Sequence, residues 1–348
     1  MRKGVNDRTF VPRLLRHNAR CEIIFPGFVF VVTPHDTEKR RQLDMELKKK
    51  FLGGMVGSAL GDAIGELAFR FRGKQDLLGA IDQIETLVYT DDTAMGIGLA
   101  ESLLEKGGID PEHLGDTFCK NFNREPWRGY ASGPPTIFSL VRHEGIPYVE
   151  AARRLFGGSG SLGNGAAMRI APLGLLFHES PDIDKAARAS AEVTHAHPVG
   201  KDGAAVEAWA IARAVELDPV QEFPYAEFTK GLVNVSGTSE IRDKLRLVES
   251  LLRENAPPRH AADLLGRSVA VNESLPFAIY SFLKNPQSFE ECLFCAVLNG
   301  GDRDTLGAMA GAISGAYLGI NAIPGVWRGK LENRARIEGL ASSLFERL

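Results

Sequence analysis

From Lys48 onward the apolar positions of this chain recur at helical spacing: Leu99, Leu103 and Leu104 fall on one face, as do Leu245, Val248, Leu251 and Leu252, and few stretches alternate as half-buried strands do. An all-α fold follows for this part. Pairs of Gly or Pro at Gly107-Gly108, Gly157-Gly158, Pro257-Pro258 and Gly300-Gly301 punctuate the pattern without marking a long linker, so a single compact multi-helix domain from 45 to 348 is expected. Residues 1–44 differ. Clustered arginines surround the apolar run Ile23 to Val32, which Pro26 and Gly27 break and which is too short to span a bilayer; no small-residue cleavage site follows it. This segment reads as an extension, either disordered or the product of an upstream start with Met45 as the alternative beginning.

Two segments carry glycine at every fourth position: Gly53-Gly-Met-Val-Gly57-Ser-Ala-Leu-Gly61-Asp-Ala-Ile-Gly65 and Gly307-Ala-Met-Ala-Gly311-Ala-Ile-Ser-Gly315-Ala-Tyr-Leu-Gly319. Glycine inside a helix costs about 1 kcal/mol relative to alanine, so two such stripes need a compensating reason. Close approach of another helix or a ligand to a smooth face supplies it. The uncharged run Leu306 to Trp327 has membrane-spanning length, but it is rich in Gly and Ala, holds Ser314, Asn321 and Pro324, and has no partner span, so no membrane association is expected.

Acidic turns lie near both ladders. Tyr89-Thr90-Asp91-Asp92-Thr93 and Gly300-Gly301-Asp302-Arg303-Asp304-Thr305 each precede a helical pattern. Helix capping explains one Asp or Thr per helix, not two or three. The surplus carboxylates repel one another unless a cation intervenes, and oxygen donors without clustered Cys or His suit Mg²⁺ or Mn²⁺ better than zinc. A third turn, Phe156-Gly-Gly-Ser-Gly160-Ser161-Leu162-Gly163-Asn164-Gly165, reads as a glycine-rich loop opening onto a helix, a shape that suits a pyrophosphate, although it matches neither the P-loop nor the dinucleotide fingerprint.

Composition narrows the picture from the other side. A formal net charge of -3 and an isoelectric point near 6.3 leave no basic field for nucleic acid, so none is expected as a partner. Four scattered cysteines point to a reducing compartment, taken here as the cytoplasm, and Cys292-Leu-Phe-Cys295 reads as buried thiols since no second pair completes a zinc site.

At these turns the sequence resembles the ADP-ribosylglycohydrolase family. The resemblance rests on Gly61-Asp62-Ala-Ile-Gly65, Thr90-Asp91-Asp92-Thr93-Ala-Met95, Gly163-Asn164-Gly165-Ala-Ala-Met-Arg169, Thr194-His195 and Gly300-Gly301-Asp302-Arg303-Asp304-Thr305, in family order over roughly Leu52 to Gly319. Arg128-Gly129-Tyr130 and Glu273-Ser-Leu-Pro276-Phe-Ala-Ile279-Tyr280 to Leu283 are similar to the type 3 acceptor hydrolases, the branch associated with O-linked ADP-ribose. The resemblance implies Mg-dependent cleavage of the glycosidic bond between ADP-ribose and an acceptor, whether serine-linked on a protein, poly-ADP-ribose or O-acetyl-ADP-ribose. Arginine-linked ADP-ribose and a catalytically silent, crystallin-like relative are the alternatives. It also implies two Mg²⁺ ions, with Mn²⁺ as a substitute, on Thr90, Asp91, Asp92, Asp302, Asp304 and Thr305, and substrate contacts from Gly129, Phe156, Ser161, Leu162, Gly163, Asn164 and His195. No organic cofactor is implied.

Three departures stand out. Phe69 occupies the place where the type 3 branch has a glutamate, seven residues after Asp62; Glu66, one helical turn earlier, is the candidate to replace it as the catalytic carboxylate, with Asp302 second. Leu162 replaces an aromatic residue. Arg303 replaces a small one, and is expected either to pair with phosphate or to point into solvent.

Overall fold

The structure, a computed structural model, describes the backbone of residues 13–17, 20–25, 28–32 and 34–348, and side chains at 38 and from 40 onward. The chain forms two compact units, Met1–Leu47 and Lys48–Leu348.

The first unit contains a three-stranded antiparallel sheet, Arg13–His17, Arg20–Phe25 and Phe28–Val32, in sequential order, with Arg13 opposite Ile24 and Phe25 opposite Phe28. The segment expected as an extension therefore includes strands. Their apolar residues run consecutively, and a period-two pattern, the usual sign of a strand, is missing.

The second unit is all-helical apart from two isolated bridges, Leu87 to Leu331 and Gly163 to Ala270. Its centre is the helix Pro198–Glu216, almost wholly buried, against which Ala171–Leu176, Ile183–Glu192, Val271–Lys284 and Arg303–Leu318 all pack. Alanine and glycine dominate this central helix, which lets several neighbours approach it at once.

The two glycine ladders face each other. The first belongs to the helix Pro34–Ala68 and the second to Arg303–Leu318, and they run antiparallel. A methyl group built on Gly53 would lie 2.1 Å from the Gly315 carbonyl oxygen, on Gly57 2.4 Å from that of Gly311, on Gly61 1.9 Å from that of Gly307, and on Gly65 2.3 Å from that of Arg303. No side chain fits anywhere along this seam. The helical cost of these glycines is thus offset by backbone-to-backbone packing. The seam ends beside chemistry: Asp62 follows Gly61 on one side, and Asp304 and Thr305 precede Gly307 on the other.

The apolar run beginning at Leu306 is not one long helix. It stops at Leu318, where Gly319 turns the chain with φ 77°, and a short 3-10 turn follows at Ile320–Ala322. Among the described residues no helix is long and apolar enough to cross a membrane. Cys292 and Cys295 are buried free thiols, and burial pushes Cys295 up to about 11, which keeps it protonated and unreactive.

Candidate active site

The first acidic turn is held by Asp62. This fully buried carboxylate accepts from the Thr90 amide at 3.0 Å and hydroxyl at 2.8 Å, and from the Thr93 amide at 3.0 Å and hydroxyl at 2.6 Å. Burial pushes Asp62 up to about 6, and the four Thr hydrogen bonds oppose that rise. Two free amides around the start of the helix Asp91–Lys106 are satisfied in this way, and the Thr90 hydroxyl accepts from the Asp92 amide at 3.5 Å. Asp91 and Asp92 are consequently released from capping. Asp92 is 3% exposed, and its Oδ2 has no hydrogen-bond partner.

The second acidic turn is released in the same sense. Asp302 occupies the N-cap of Arg303–Leu318 without a capping bond from its side chain, and instead accepts from Asn164 Nδ2 at 2.6 Å. Asp304 Oδ1 accepts only from the adjacent Thr305 amide at 3.0 Å, among the described bonds. Burial, then the charge of Asp302, pushes Asp304 up to about 8; burial, then Asp62, pushes Asp91 up to about 7; Asp92 is driven well above the usual carboxylate range by burial and then by Asp62. These acids are held close enough to oppose one another's ionisation, and the charge of Arg169 offsets this only in part at Asp91.

The glycine-rich turn closes the other side. Its backbone is left-handed at Phe156 (φ 51°), Gly157 (φ 68°), Gly158 (φ 92°) and Gly160 (φ 74°), and at Gly160 any side chain would meet the His197 amide. It opens onto a single 3-10 turn, Asn164–Ala166, and not onto the expected α-helix. Two amides expected to face an anion are already engaged: Gly163 donates to Ser161 Oγ at 3.1 Å and Asn164 to the Val269 carbonyl at 2.9 Å. The turn is thereby tied to the loop 267–270, which also receives the Asp302 amide at the Arg267 carbonyl, 2.9 Å away.

His195 lies under this turn, its ring against Gly163 and Gly165 and its Nδ1 2.8 Å from the Thr194 hydroxyl. Burial, then the charge of Arg169, pushes it down to about 3, so the imidazole is neutral near pH 7.

Together these parts enclose a cavity of about 540 Å³, within the usual size for a small-molecule site. Its wall includes Asp91, Asp92, Asp302, Asp304 and Thr305, and Gly129, Phe156, Ser161, Leu162, Gly163, Asn164 and His195. Thr90 lies one residue behind, its hydroxyl turned to Asp62. Glu66 does not line the cavity: it is half-buried near the end of Pro34–Ala68. Arg303 takes neither expected course. Its Nη1 donates to the carbonyls of Ala68 and Phe71, the latter at 2.8 Å, closing the end of the glycine helix, and its guanidinium lies 5.9 Å from the Phe69 ring centroid.

A clasp from the end of the chain completes the frame. Buried Arg128 donates to Glu332 at 2.7 and 3.0 Å, to Glu125 at 3.1 and 3.2 Å, and to the Tyr89 carbonyl at 3.0 Å, just ahead of Asp91. The Leu87 amide donates to the Lys330 carbonyl at 2.8 Å, the Leu87 carbonyl accepts from the Glu332 amide at 3.0 Å, and Asn333 donates to the Tyr89 hydroxyl at 2.9 Å. Neither Arg128 as an anchor nor Arg169 as a buried cation beside the site was assigned a role from the sequence; a lone arginine within the small and apolar run Gly165 to Gly174 is the signal that marks the second.

Among the described residues no three Asp, Glu, His or Cys side chains already stand in a metal-holding group. A mixed donor set nevertheless fits a hard cation: carboxylates freed from capping, an unpartnered buried Asp92 oxygen, and the Thr305 hydroxyl, with no soft ligand among them.

An all-helical domain built around an acidic cavity is the class this arrangement defines. The family model for ADP-ribosylglycohydrolase matches residues 43–348. ADP-ribosylhydrolase ARH3 of Homo sapiens is 31% identical over 336 residues, covering 85% of this chain and 92% of that protein, and ARH3 of Danio rerio is 30% identical over 339 residues, covering 85% and 90%. A solved structure described as an ADP-ribosylglycohydrolase-related protein complex superposes with a TM-score of 0.62 at 26% identity, covering 87% of this chain and 99% of that one. The chain belongs to the ADP-ribosylglycohydrolase family, and it is a glycosidic-bond hydrolase acting on ADP-ribose linkages.

Proposed function

We propose that this enzyme is Mg²⁺-dependent and releases ADP-ribose from O-linked acceptors. The observation that carries the metal is the buried, unpartnered Oδ2 of Asp92 among carboxylates that raise one another's pKa. Asp91, Asp92, Asp302, Asp304, Thr305 and Thr90 would hold two ions. Bound there, Mg²⁺ would fix a ribose diol and offset the negative charge of the cavity.

The residues themselves supply the rest. Cleavage breaks the bond from the anomeric carbon to the acceptor oxygen, joins the oxygen of water to that carbon, and moves one proton to the departing oxygen. Asp302 takes the proton from water in this reading, which the hydrogen bond it accepts from Asn164 supports by fixing its orientation. His195 is neutral and fixes the glycine-rich wall; with its pKa near 3 it does not serve as a proton donor at neutral pH. Retention of all six expected metal ligands, Thr90, Asp91, Asp92, Asp302, Asp304 and Thr305, speaks against a silent relative. The O-linked preference rests on the similarity at Arg128-Gly129-Tyr130 and from Glu273 to Leu283; Gly129 (φ 89°) brings bare backbone beside Asp91.

Chromatography of the products from serine- and arginine-ADP-ribosylated peptides tests both parts. Free ADP-ribose is expected from the serine peptide, abolished by a chelator and restored by Mg²⁺. Activity indifferent to chelation removes the metal, and preference for the arginine peptide removes the O-linked assignment.

A further inference from the structure

Arg169 is 1% exposed, and among the described residues no carboxylate lies within ion-pair distance of it. Its Nη2 donates to the Ser190 carbonyl at 3.2 Å, its Nη1 meets the Met95 sulfur at 3.9 Å, and its Nε has no acceptor. The guanidinium carbon lies 4.6 Å from the Phe118 ring centroid. A cation buried this poorly needs charge compensation from nearby.

The surroundings show where it comes from. Met95 lies one turn along the helix that begins at Asp91, and Gly96 packs toward the Arg169 backbone, an added methyl there lying 3.7 Å from the Arg169 carbonyl oxygen. The preceding residue, Met168, meets the Thr305 hydroxyl at 3.9 Å. The segment thus runs between the two acidic turns. Burial pulls the guanidinium down to about 9, and Asp91 is the one carboxylate acting against that pull.

We infer that Arg169 is a buried counter-charge for the acidic turns, a positioning residue that holds them together when no cation is bound and weakens their grip when one is. One fixed positive charge produces both effects, because it stabilises an empty anionic cluster and repels an incoming cation. The ion would then exchange freely and not remain as a permanent structural part. The second effect rests on the Mg²⁺ reading; the first does not.

Arg169→Met keeps a long side chain against Phe118 and removes the charge, and such replacements are often neutral where only packing is at stake. In chelator the variant is expected to melt below wild type, with the gap closing under saturating Mn²⁺. Its Mn²⁺ affinity by calorimetry should rise about tenfold or more, as loss of a nearby like charge demands. Adding Asp91→Asn should restore metal-free stability, since the double variant removes both members of the pair. Equal melting losses with and without Mn²⁺, and no recovery in the double variant, overturn the inference. Should Arg169→Met alone not fold, a cooperative transition in the double variant supports it, and failure of both overturns it. Wild type that takes up no Mn²⁺ removes the proposed cofactor, while recovery by Asp91→Asn still decides the counter-charge.

Discussion

Asp62 performs the capping that its neighbours would otherwise perform, and so leaves Asp91 and Asp92 with charge to spare. The sequence shows a surplus of carboxylates but not which of them is spent on structure, because that depends on a contact between residues 62 and 93. Glu66 illustrates the same limit: helical spacing places it near Phe69, whereas the cavity wall passes it by. Glu66→Gln is therefore expected to keep kcat within about threefold of wild type, whereas Asp302→Asn should lose about a hundredfold or more, the usual contribution of a positioned acid or base. Steady-state kinetics on one O-linked substrate compares them; a large loss in the Glu66 variant would show that residue entering the site during turnover. His195 gives a pH prediction. Its folded pKa is depressed from 6.5 to about 3, so the unfolded chain binds the extra proton. The stability it contributes is complete above pH 6.5 and is lost as the pH falls toward 3. Urea denaturation across this range should give a shallower decline for His195→Gln than for wild type, and equal slopes would mean that the ring titrates normally.

At the scale of elements, periodicity reveals a face and not its partner. The glycine ladders are legible as surfaces built for close approach, but only the structure pairs Gly61 with Gly307 and Gly57 with Gly311. Gly61→Ala places a methyl 1.9 Å from a carbonyl oxygen that cannot rotate away, and should cost about 3 kcal/mol or more, at or above the upper end of ordinary overpacking. Gly79, in the helix Lys74–Gln83, has nothing within 4 Å, and Gly79→Ala should stabilise by about 0.5 to 1 kcal/mol. Thermal melts of the two variants should move in opposite directions; a neutral Gly61→Ala would refute the seam. The glycine-rich turn was legible as a loop but not as the start of a 3-10 turn, since its amides are taken up by Ser161 and by the distant Val269.

For the whole molecule, the family match begins at residue 43 and the second compact unit at Lys48, within the helix Pro34–Ala68. A chain of residues 43–348 is expected to melt cooperatively within about 2 °C of the full chain, a shift that corresponds to about 1 kcal/mol in a large domain, and to release ADP-ribose at the same rate. Loss of either property would assign the preceding residues a part in the second unit. Within that unit, the glycine seam joins a helix made early in synthesis to one made late, and the Glu332 clasp on Arg128 comes later still. The cavity therefore has no partial form on a growing chain: synthesis must pass the helix Arg303–Leu318 before the turn held by Asp62 and the turn that carries Asp304 can be joined. A product of premature termination that stops short of Glu332 would keep the residues of the cavity wall and leave Arg128 with Glu125 as its one carboxylate partner among the described residues.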